Sequence, residues 1–527
     1  MDDILIRGGK VIDGTGAPWY RADVAVAGGR IRAVARRLET EARLVIDAVD
    51  RAVAPGFIDA HSHSDSALLI NPKAESKIRQ GVTTEVIGQC GSSAAPLSEL
   101  SLEEAKHSLL GEEMEISWRS LAEYLAVLES RGVAVNVVPT VGHGTIREAV
   151  VGYDDRPPTT DEMRRMKGLV AESMRAGARA LTTGLIYPPG SYAKTEELIE
   201  LARVAAEYGG IYMSHMRDEG DHLLDSVAEA IEIGEKGGLP VQISHHKAVG
   251  PANWGRVRDS LAMIEAARAR GLDVTADQYP YVATSTGLDS LIPDWAHAGG
   301  TAAMLERLKD GPIRAELGAQ VTPATERRGG WDKILISSLR AEGNRRYQGW
   351  ALDAIARDRG LDPWETACEL IISEGGYVGM VRFAMSEEDV KTVMAHPVVM
   401  IGSDGSCLAP YGRLGESKPH PRNYGTFVRV LGKYAREEGV LTLTEAVRKM
   451  TGLPAARFGL WDRGLVRPGM AADLVVFDPD TVAERATFAY PHQYPAGIDH
   501  VIVNGRVAVD PNGHTGALAG QILRRPA

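Results

Sequence analysis

The chain has 527 residues, a formal net charge of −11, and 44% hydrophobic and 24% charged residues. This length exceeds a single ordinary core, so about two or three domains are expected. The acidic balance argues against nucleic acid as a partner, because nucleic-acid binding depends on a basic surface. The sequence has no run of about 18 apolar residues, so we expect no membrane span.

The chain contains three cysteines, Cys90, Cys368 and Cys407, which are too few and too scattered for a disulfide framework. This cysteine usage favours a reducing compartment. The opening stretch MDDILIRGGK begins with two acids and then a strand pattern, which is not typical of a secretory leader. We therefore expect a cytoplasmic protein.

Both ends of the chain predict short β-strands. ILIRGGKVIDGTG and ADVAVAGGRIRAVA near the start resemble ADLVVFDPDTV and DHVIVNGRVAVD near the end, since all four alternate apolar residues and contain Gly, Asn-Gly or Asp. We predict that residues 1–54 and 461–527 together form one small β-sandwich domain.

The middle of the chain, residues 55–460, alternates strands with helices. Eight strand-like segments are counted: GFIDAHSH, TTEVIG, AVNVVPTV, RALTTGLI, GIYMSHM, LPVQISHH, KILISS and PVVMIGSD. Polar residues cluster after nearly every one, which favours an α/β fold with a TIM-type (β/α)8 barrel over an open sheet. Residues 285–330, placed between the sixth and seventh of these strands, exceed an ordinary connection and predict a lid insertion.

The first strand ends in two histidines, His61 and His63, within FIDAHSHSD. Residues two apart on a strand project to the same side, so the two imidazoles can share a metal ion. A His-x-His pair alone is more often a chance pair of surface or core residues that binds no metal. Its place after a buried strand makes the metal interpretation stronger.

Further histidines follow the fifth and sixth strands. In SHHK, strand alternation places His245 on the same side as Lys247, whereas His246 points away and is interpreted as structural. His215 occupies the matching position in MSHMRD. Each histidine alone could be a satisfied core residue, but four of them at three strand ends of one barrel favour a metal site.

Asp404, in IGSDGS, follows the eighth strand, which in a closed barrel lies beside the first. Alone, its Asp-Gly pair could be a plain turn. Cys90 follows the second strand on the same rim, where a metal would hold its thiol as thiolate. A Cys, His and Asp ligand set is typical of zinc. A nucleophilic Cys90 is the alternative, but it leaves the histidines unexplained. Cys368 and Cys407 lack neighbouring histidines and are interpreted as structural.

These motifs resemble those of a known family. PGFIDAHSH, SH, SHHK, GSDG and the closing GMAADLVVFD are similar to the amidohydrolase superfamily. The combination IGQCG, SHMRDE, SHHK, DQYPY, GSDG and HPRNYGTF resembles the N-acyl-D-amino-acid deacylases, or D-aminoacylases, along the whole chain. Many amidohydrolases carry a carboxylated lysine on strand four. ARALTTGLIYPPG has no lysine, and the cysteine after strand two replaces it in this branch.

The resemblance implies a ligand set and a reaction. It implies one tightly bound Zn²⁺ on Cys90, His215 and His245, and a second, weaker position framed by His61, His63, Cys90 and Asp404. The substrate would be a small N-acyl-D-amino acid, hydrolysed with Asp404 as the catalytic base and acid. Lys247, Tyr279, Ser285 and Arg422 match positions that hold the substrate carboxylate and neighbouring groups.

Two other functions fit the same fold. A cyclic amidase of the hydantoinase or dihydroorotase type shares the barrel and the His-x-His pair, but usually bridges two metals with the strand-four lysine that is missing here. A non-catalytic scaffold should have lost metal ligands, yet every expected position is filled. One departure from the family is SCLAPYGRLGESKP, a longer stretch between Asp404 and Arg422 that affects how Arg422 reaches the site.

Overall fold

In a computed structural model, the described residues are 1–106 and 114–525. The two ends of the chain build one nine-stranded sheet in the hydrogen-bonded order β21-β20-β19-β18-β5-β1-β2-β3, with β4 on β1. Its strands are β1 (Asp2–Val11), β2 (Tyr20–Ala27), β3 (Arg30–Ala35), β4 (Ala42–Asp47), β5 (Ala52–Pro55), β18 (Leu474–Phe477), β19 (Ile498–Val503), β20 (Arg506–Asp510) and β21 (Gly513–His514).

The antiparallel pair β5–β18 joins the two ends of the chain, with Ala52 opposite Phe477. All nine strands therefore belong to one hydrogen-bonded sheet. The long strand β1 pairs with β4 along its first half and with β5 at Lys10 and Val11. Its apolar side chains, among them Ile6, form a separate core.

The middle of the chain contains parallel strands in two sheets. One sheet has the order β6-β7-β8, and the other has the order β17-β13-β12-β11-β10-β9. These strands are β6 (Phe57–Asp59), β7 (Val82–Ile87), β8 (Asn136–Pro139), β9 (Val141–Gly142), β10 (Ala180–Gly184), β11 (Ile211–His215), β12 (Val241–Ile243), β13 (Val274–Gln278) and β17 (Val399–Ile401).

Backbone hydrogen bonds connect the two parallel sheets at both edges. The N–H of Arg179, beside β10, donates to the carbonyl oxygen of Pro139 in β8 over 2.9 Å. At the other edge the N–H of Asp404, after β17, donates to the carbonyl oxygen of His61, after β6, over 2.8 Å. The strands therefore form a ring in which the last strand lies beside the first.

Helices separate the parallel strands, as the alternating pattern predicts. Thr159 and Glu162 form a capping box at the start of helix Thr160–Arg175. Helix Thr195–Glu207 buries one face that includes Leu198, Leu201 and Ala205. The remaining helices of this region are Ala67–Ile70, Glu75–Ile78, Glu99–Lys106, Leu121–Arg131, His143–Val150, Leu223–Gly237, Val257–Ala269, Glu387–Ala395, Arg422–Arg429, Leu443–Met450 and Gly452–Arg457.

One strand assignment from the sequence is wrong. KILISS forms β15 (Ile334–Ser338), which lies outside the ring and pairs antiparallel with β16 (Gly379–Phe383). The seventh strand of the ring is β13, in LDVTADQYP, which pairs with β12 and β17. Both segments have strand character, and only their pairing partners distinguish them.

A compact insertion separates β13 from β17. Its three-stranded sheet has the order β14-β16-β15, with β14 spanning Ala283–Gly287. Four helices accompany it: Thr301–Lys309, Gly311–Arg327, Leu352–Arg359 and Pro363–Ser373. The insertion has its own apolar core. The expected lid, residues 285–330, is therefore part of a larger unit between the seventh and eighth strands.

In the described ranges, no helix combines the length and the apolar character needed to cross a lipid bilayer.

Candidate active site

The carboxyl ends of the ring strands bring Cys90 against two histidines. The Sγ atom of Cys90 lies 3.2 Å from Nε2 of His61 and 3.3 Å from Nε2 of His245. The three residues follow β7, β6 and β12, and all three are buried. Chain segments separated by up to 184 residues in the sequence, from 61 to 245, thus meet at one point.

His245 also contacts a second group of side chains. Its Nε2 atom lies 2.9 Å from Nδ1 of His215, and its Nδ1 atom lies 3.0 Å from Oε1 of Glu219. Lys247 donates to the same Glu219 oxygen over 2.5 Å. Nε2 of His215 is buried and has no hydrogen-bond partner among the described residues, so this nitrogen is free to bind a ligand.

Asp404 lies between the histidines that follow the first strand and the cation of Arg422. Its Oδ1 atom lies 3.0 Å from Nε2 of His63 and 3.5 Å from Nε2 of His61. Its Oδ2 atom accepts a hydrogen bond from Nη1 of Arg422 over 2.7 Å. The longer stretch between Asp404 and Arg422 therefore does not keep Arg422 away from the site.

Two carboxylates that contact the predicted site residues, Asp277 and Glu219, were not predicted from the sequence. Asp277, at the end of β13, accepts from Nδ1 of His61 (3.1 Å) and from the backbone N–H of His245 (2.8 Å). It thereby turns Nε2 of His61 toward Cys90, as outer partners of metal ligands do. The other is Glu219. Both lie inside the quoted motifs DQYPY and SHMRDE, so acidic residues after a strand were the available signal.

The four predicted substrate-binding residues lie on one side of the site. Nη2 of Arg422 donates to the carbonyl oxygen of Ser285 over 3.2 Å. The Arg422 guanidinium lies 4.9 Å, and Nζ of Lys247 5.6 Å, from the centroid of the Tyr279 ring. Both cations thus lie on the same aromatic side chain, in the range of cation–π attraction.

These groups surround one cavity of about 480 Å³. Nine of the ten predicted site residues line it: His63, Cys90, His215, His245, Lys247, Tyr279, Ser285, Asp404 and Arg422. His61 is fully buried behind them. His246, interpreted as structural, lies outside this cavity with its Nε2 atom 2.8 Å from Oγ of Ser260.

The electrostatics of the site favour anionic donors. Burial raises the pKa of Cys90, but the imidazoles of His61 and His245 outweigh burial and bring the pKa well below its usual value. Burial likewise opposes ionisation of Asp404, and Arg422 with His245 brings the pKa of Asp404 well below its usual range. A thiolate and a carboxylate among imidazoles attract a divalent cation.

Three of these residues adopt the left-handed backbone conformation that disfavours side chains other than glycine. Cys90, His245 and Asp404 have φ angles of +53°, +34° and +51°. Such conformations are costly and persist where the surrounding structure holds them, commonly at active sites. All three residues with this strained backbone conformation belong to the cluster of donor side chains.

The donor set fits a zinc ion. The donor atoms of His61, Cys90, His245 and Asp404 lie within 4.8 Å of one another, as do those of His215, Glu219 and His245. Two ligands of one tetrahedral zinc ion lie about 3.5 Å apart, given bond lengths of about 2.1–2.3 Å. The separations around Cys90 are close to that value, and sulfur, nitrogen and oxygen donors together suit zinc.

Comparisons with known proteins agree with this geometry. Residues 44–509 match the amidohydrolase family. The chain is 41% identical to D-aminoacylase of Alcaligenes xylosoxydans xylosoxydans, covering 100% of this chain and 98% of that protein. It is 40% identical to the N-acyl-D-glutamate deacylase of the same organism, covering 100% and 97%.

A solved structure extends the likeness to three dimensions. The N-acyl-D-glutamate deacylase of Bordetella bronchiseptica, complexed with zinc and a phosphonate inhibitor that mimics the tetrahedral intermediate, superposes with a TM-score of 0.84. It is 38% identical, and the match covers 99% of this chain and 100% of that one. The chain belongs to the amidohydrolase family, in its N-acyl-D-amino-acid deacylase branch.

Proposed function

We propose that this protein hydrolyses the amide bond of N-acyl-D-amino acids to give a carboxylate and a free D-amino acid. One observation carries the proposal. The Asp404 carboxylate lies between a Cys–His donor cluster, centred on Cys90, and the Arg422 cation inside a single cavity. This arrangement supplies a metal site, a proton acceptor and an anion site, which are the three groups the reaction needs.

Zinc is the cofactor that the donor set would hold. From the family resemblance we assign a tight site to Cys90, His215 and His245, and a second, weaker position to His61, His63, Cys90 and Asp404. The distances group the donors differently, with Cys90 and His245 nearest His61 and Asp404, and with His215 nearest His245 and Glu219. When bound, zinc supplies Lewis-acid chemistry, which acidifies a water molecule and polarises a carbonyl group.

Asp404 would move the proton. Its low pKa leaves the carboxylate free to accept a proton from the attacking water, and the protonated carboxyl can then donate to the departing amine. Oδ1, which faces His63, is the oxygen nearer the donor cluster. Asp404 thus serves as base and then as acid.

Arg422 and Lys247 would hold the substrate α-carboxylate. A guanidinium matches a planar carboxylate with two parallel hydrogen bonds. Arg422 is fixed by Asp404 and Ser285, and Lys247 by Glu219. Tyr279, buried between the two cations, would hold the developing oxyanion or the substrate beside it. These local cations allow an acidic protein to bind an anionic substrate.

We infer that the ring of parallel strands is a TIM-type (β/α)8 barrel, with residues 55–460 as its domain and residues 1–54 and 461–527 as the accompanying β-domain. The joined edges of the two parallel sheets and the pairing of β5 with β18 support this division. Within the barrel domain, residues 285–330 would contribute to a lid over the cavity, since Ser285, Thr286 and Leu291 line it.

A matched panel of N-acetyl-D- and N-acetyl-L-amino acids with acidic, aromatic and aliphatic side chains tests the proposed function. We expect release of free amino acid from D-enantiomers, because the D-aminoacylase and the N-acyl-D-glutamate deacylase that this chain resembles over its full length are named for D-substrates. Hydantoin and dihydroorotate serve as controls for a cyclic amidase. Hydrolysis of these rings in preference to every linear D-substrate would contradict the proposal.

Zinc binding is expected to depend on Cys90. Purified protein should contain about one tightly held zinc per chain, and Cys90→Ala should lose most of it, because the thiolate is the donor shared by both proposed positions. Elemental analysis measures the metal. Cys368→Ala, which removes a buried thiol in the insertion core, is the matched control and should keep the zinc. Full zinc content in Cys90→Ala would rule out this assignment.

Asp404→Asn should keep its fold and its bound zinc yet lose turnover. An amide cannot accept and return the proton, and general acid–base groups contribute on the order of 10²–10⁴-fold to rate. Steady-state kinetics, with circular dichroism and metal analysis on the same preparation, separate chemistry from folding. Near-normal turnover in this variant would identify a different base.

Arg422→Ala should lower kcat/KM by roughly ten- to a hundredfold, because a charge-assisted hydrogen bond contributes about 1.5–3 kcal/mol. The methyl ester of the substrate is the control, since it lacks the charge that the clamp binds. Wild type should prefer the free acid strongly, and the variant should lose most of that preference. Equal discrimination by both proteins would show that Arg422 is not the clamp.

A further inference from the structure

The cavity wall contains four cationic side chains, and three of them are ion-paired. Each pair joins a cavity cation to a carboxylate that also lines the cavity: Lys247 with Glu219 (2.5 Å), Arg422 with Asp404 (2.7 Å) and Arg328 with Asp218 (3.3 Å). The fourth cation, Arg382, differs from the other three.

Arg382 is buried without a counter-ion. The residue is 5% exposed, and no carboxylate of the described chain forms an ion pair with it. Nη2 donates to the carbonyl oxygen of Thr325 over 3.2 Å, while the buried Nε has no partner. Burial and the nearby Arg328 charge lower the pKa of Arg382 to about 10, so it stays protonated at neutral pH. An unpaired buried charge is costly.

Another buried arginine shows what a structural role looks like in this chain. Burial also lowers the pKa of Arg179 to about 10, but its guanidinium donates to several backbone carbonyls. The acceptors are the carbonyl oxygens of Leu523, Phe458, Gly459 and Arg524. These hydrogen bonds of Arg179 link separate chain segments outside the cavity. Arg382, in contrast, makes one hydrogen bond to a backbone carbonyl oxygen and lines the cavity.

The strand position of Arg382 explains why it faces the cavity. In the insertion sheet, Arg382 lies opposite Thr284 and Met380 lies opposite Thr286. Residues paired in this way share a face of the sheet, and all four line the cavity. Thr284 precedes Ser285, whose carbonyl oxygen fixes Arg422. Arg382 therefore lies one strand away from the proposed α-carboxylate clamp.

We propose that Arg382 binds a second carboxylate of the substrate, separate from the α-carboxylate and carried either by the D-amino-acid side chain or by the acyl group. The proposal rests on the proposed deacylase function and specifies its substrate class. The Arg382 guanidinium makes a single hydrogen bond, so it keeps further N–H donors for a planar anion in the cavity. Such an anion would supply the missing counter-ion.

Two pairs of substrates distinguish the sources of this carboxylate. N-acetyl-D-glutamate against N-acetyl-D-glutamine tests the side chain, and N-succinyl-D-alanine against its succinamide counterpart tests the acyl group. In one pair, wild type should prefer the carboxylate by roughly ten- to a hundredfold in kcat/KM. Arg382→Met should remove that preference and leave turnover of the neutral substrate little changed, which also reports that the variant is folded. Arg382→Lys should retain part of the preference.

Arg328→Met is the matched control, because Arg328 lines the same cavity but is already paired with Asp218. It should keep the preference for the carboxylate. The proposal is overturned if wild type hydrolyses both pairs without discrimination, if Arg382→Met keeps the preference, or if Arg328→Met loses it equally. If wild type hydrolyses none of the four substrates but does hydrolyse N-acetyl-D-amino acids with aromatic or aliphatic side chains, the Arg382 proposal is overturned and the deacylase function stands. Failure on every N-acyl-D-amino acid of both panels would instead overturn the deacylase function itself.

Discussion

The site depends on the backbone hydrogen bonds that join the last parallel strand to the first, among them the bond from the N–H of Asp404 to the carbonyl oxygen of His61. They place the end of the last parallel strand beside the end of the first, so the Asp404 carboxylate reaches His63 across 341 positions of sequence. Because parallel strands present their carboxyl ends on one side, each βα connection adds a side chain to the same rim. The donor cluster follows from this arrangement.

The carboxyl ends of the parallel strands carry many buried ionised groups, and these are tolerated because most of them are paired. Isolated buried charges are unfavourable, but Lys247 with Glu219 and Arg422 with Asp404 neutralise each other at short range. Asp277 accepts a hydrogen bond from Nδ1 of His61 and sets the orientation of that ring. An overall charge of −11 is therefore compatible with a cavity whose walls attract anions.

Under the proposed function, the two structural units share recognition of the substrate, because Lys247 and Arg422 follow strands of the ring whereas Arg382 belongs to the insertion. Donor residues and Asp404 follow strands of the ring, whose positions are fixed by hydrogen bonds on both sides. Ser285, Met380 and Arg382 belong to the insertion, which has its own small sheet and core. Side-chain changes in this second unit can alter which substrate fits without disturbing the ring that carries the metal site.

The sequence by itself determined the α/β alternation and the strand character of the two ends, which the structure joins in one sheet. Its motifs, together with the family resemblance, predicted nine residues that line one cavity and His61, which is buried behind them. Strand alternation predicted that His245 and Lys247, but not His246, face the site, although β12 ends at Ile243 and His245 has a φ angle of +34°. Tyr279, Ser285 and Arg422 were predicted from the family resemblance, since no local pattern singles them out. Tertiary structure decided the rest. KILISS and DVTADQ are both strand-like, and only pairing partners assign the second to the ring and the first to the insertion. The contacts of Glu219, Asp277 and Arg382 are made with residues distant in sequence. Whether a charged side chain is ion-paired or unpaired therefore depends on which residues the fold places around it.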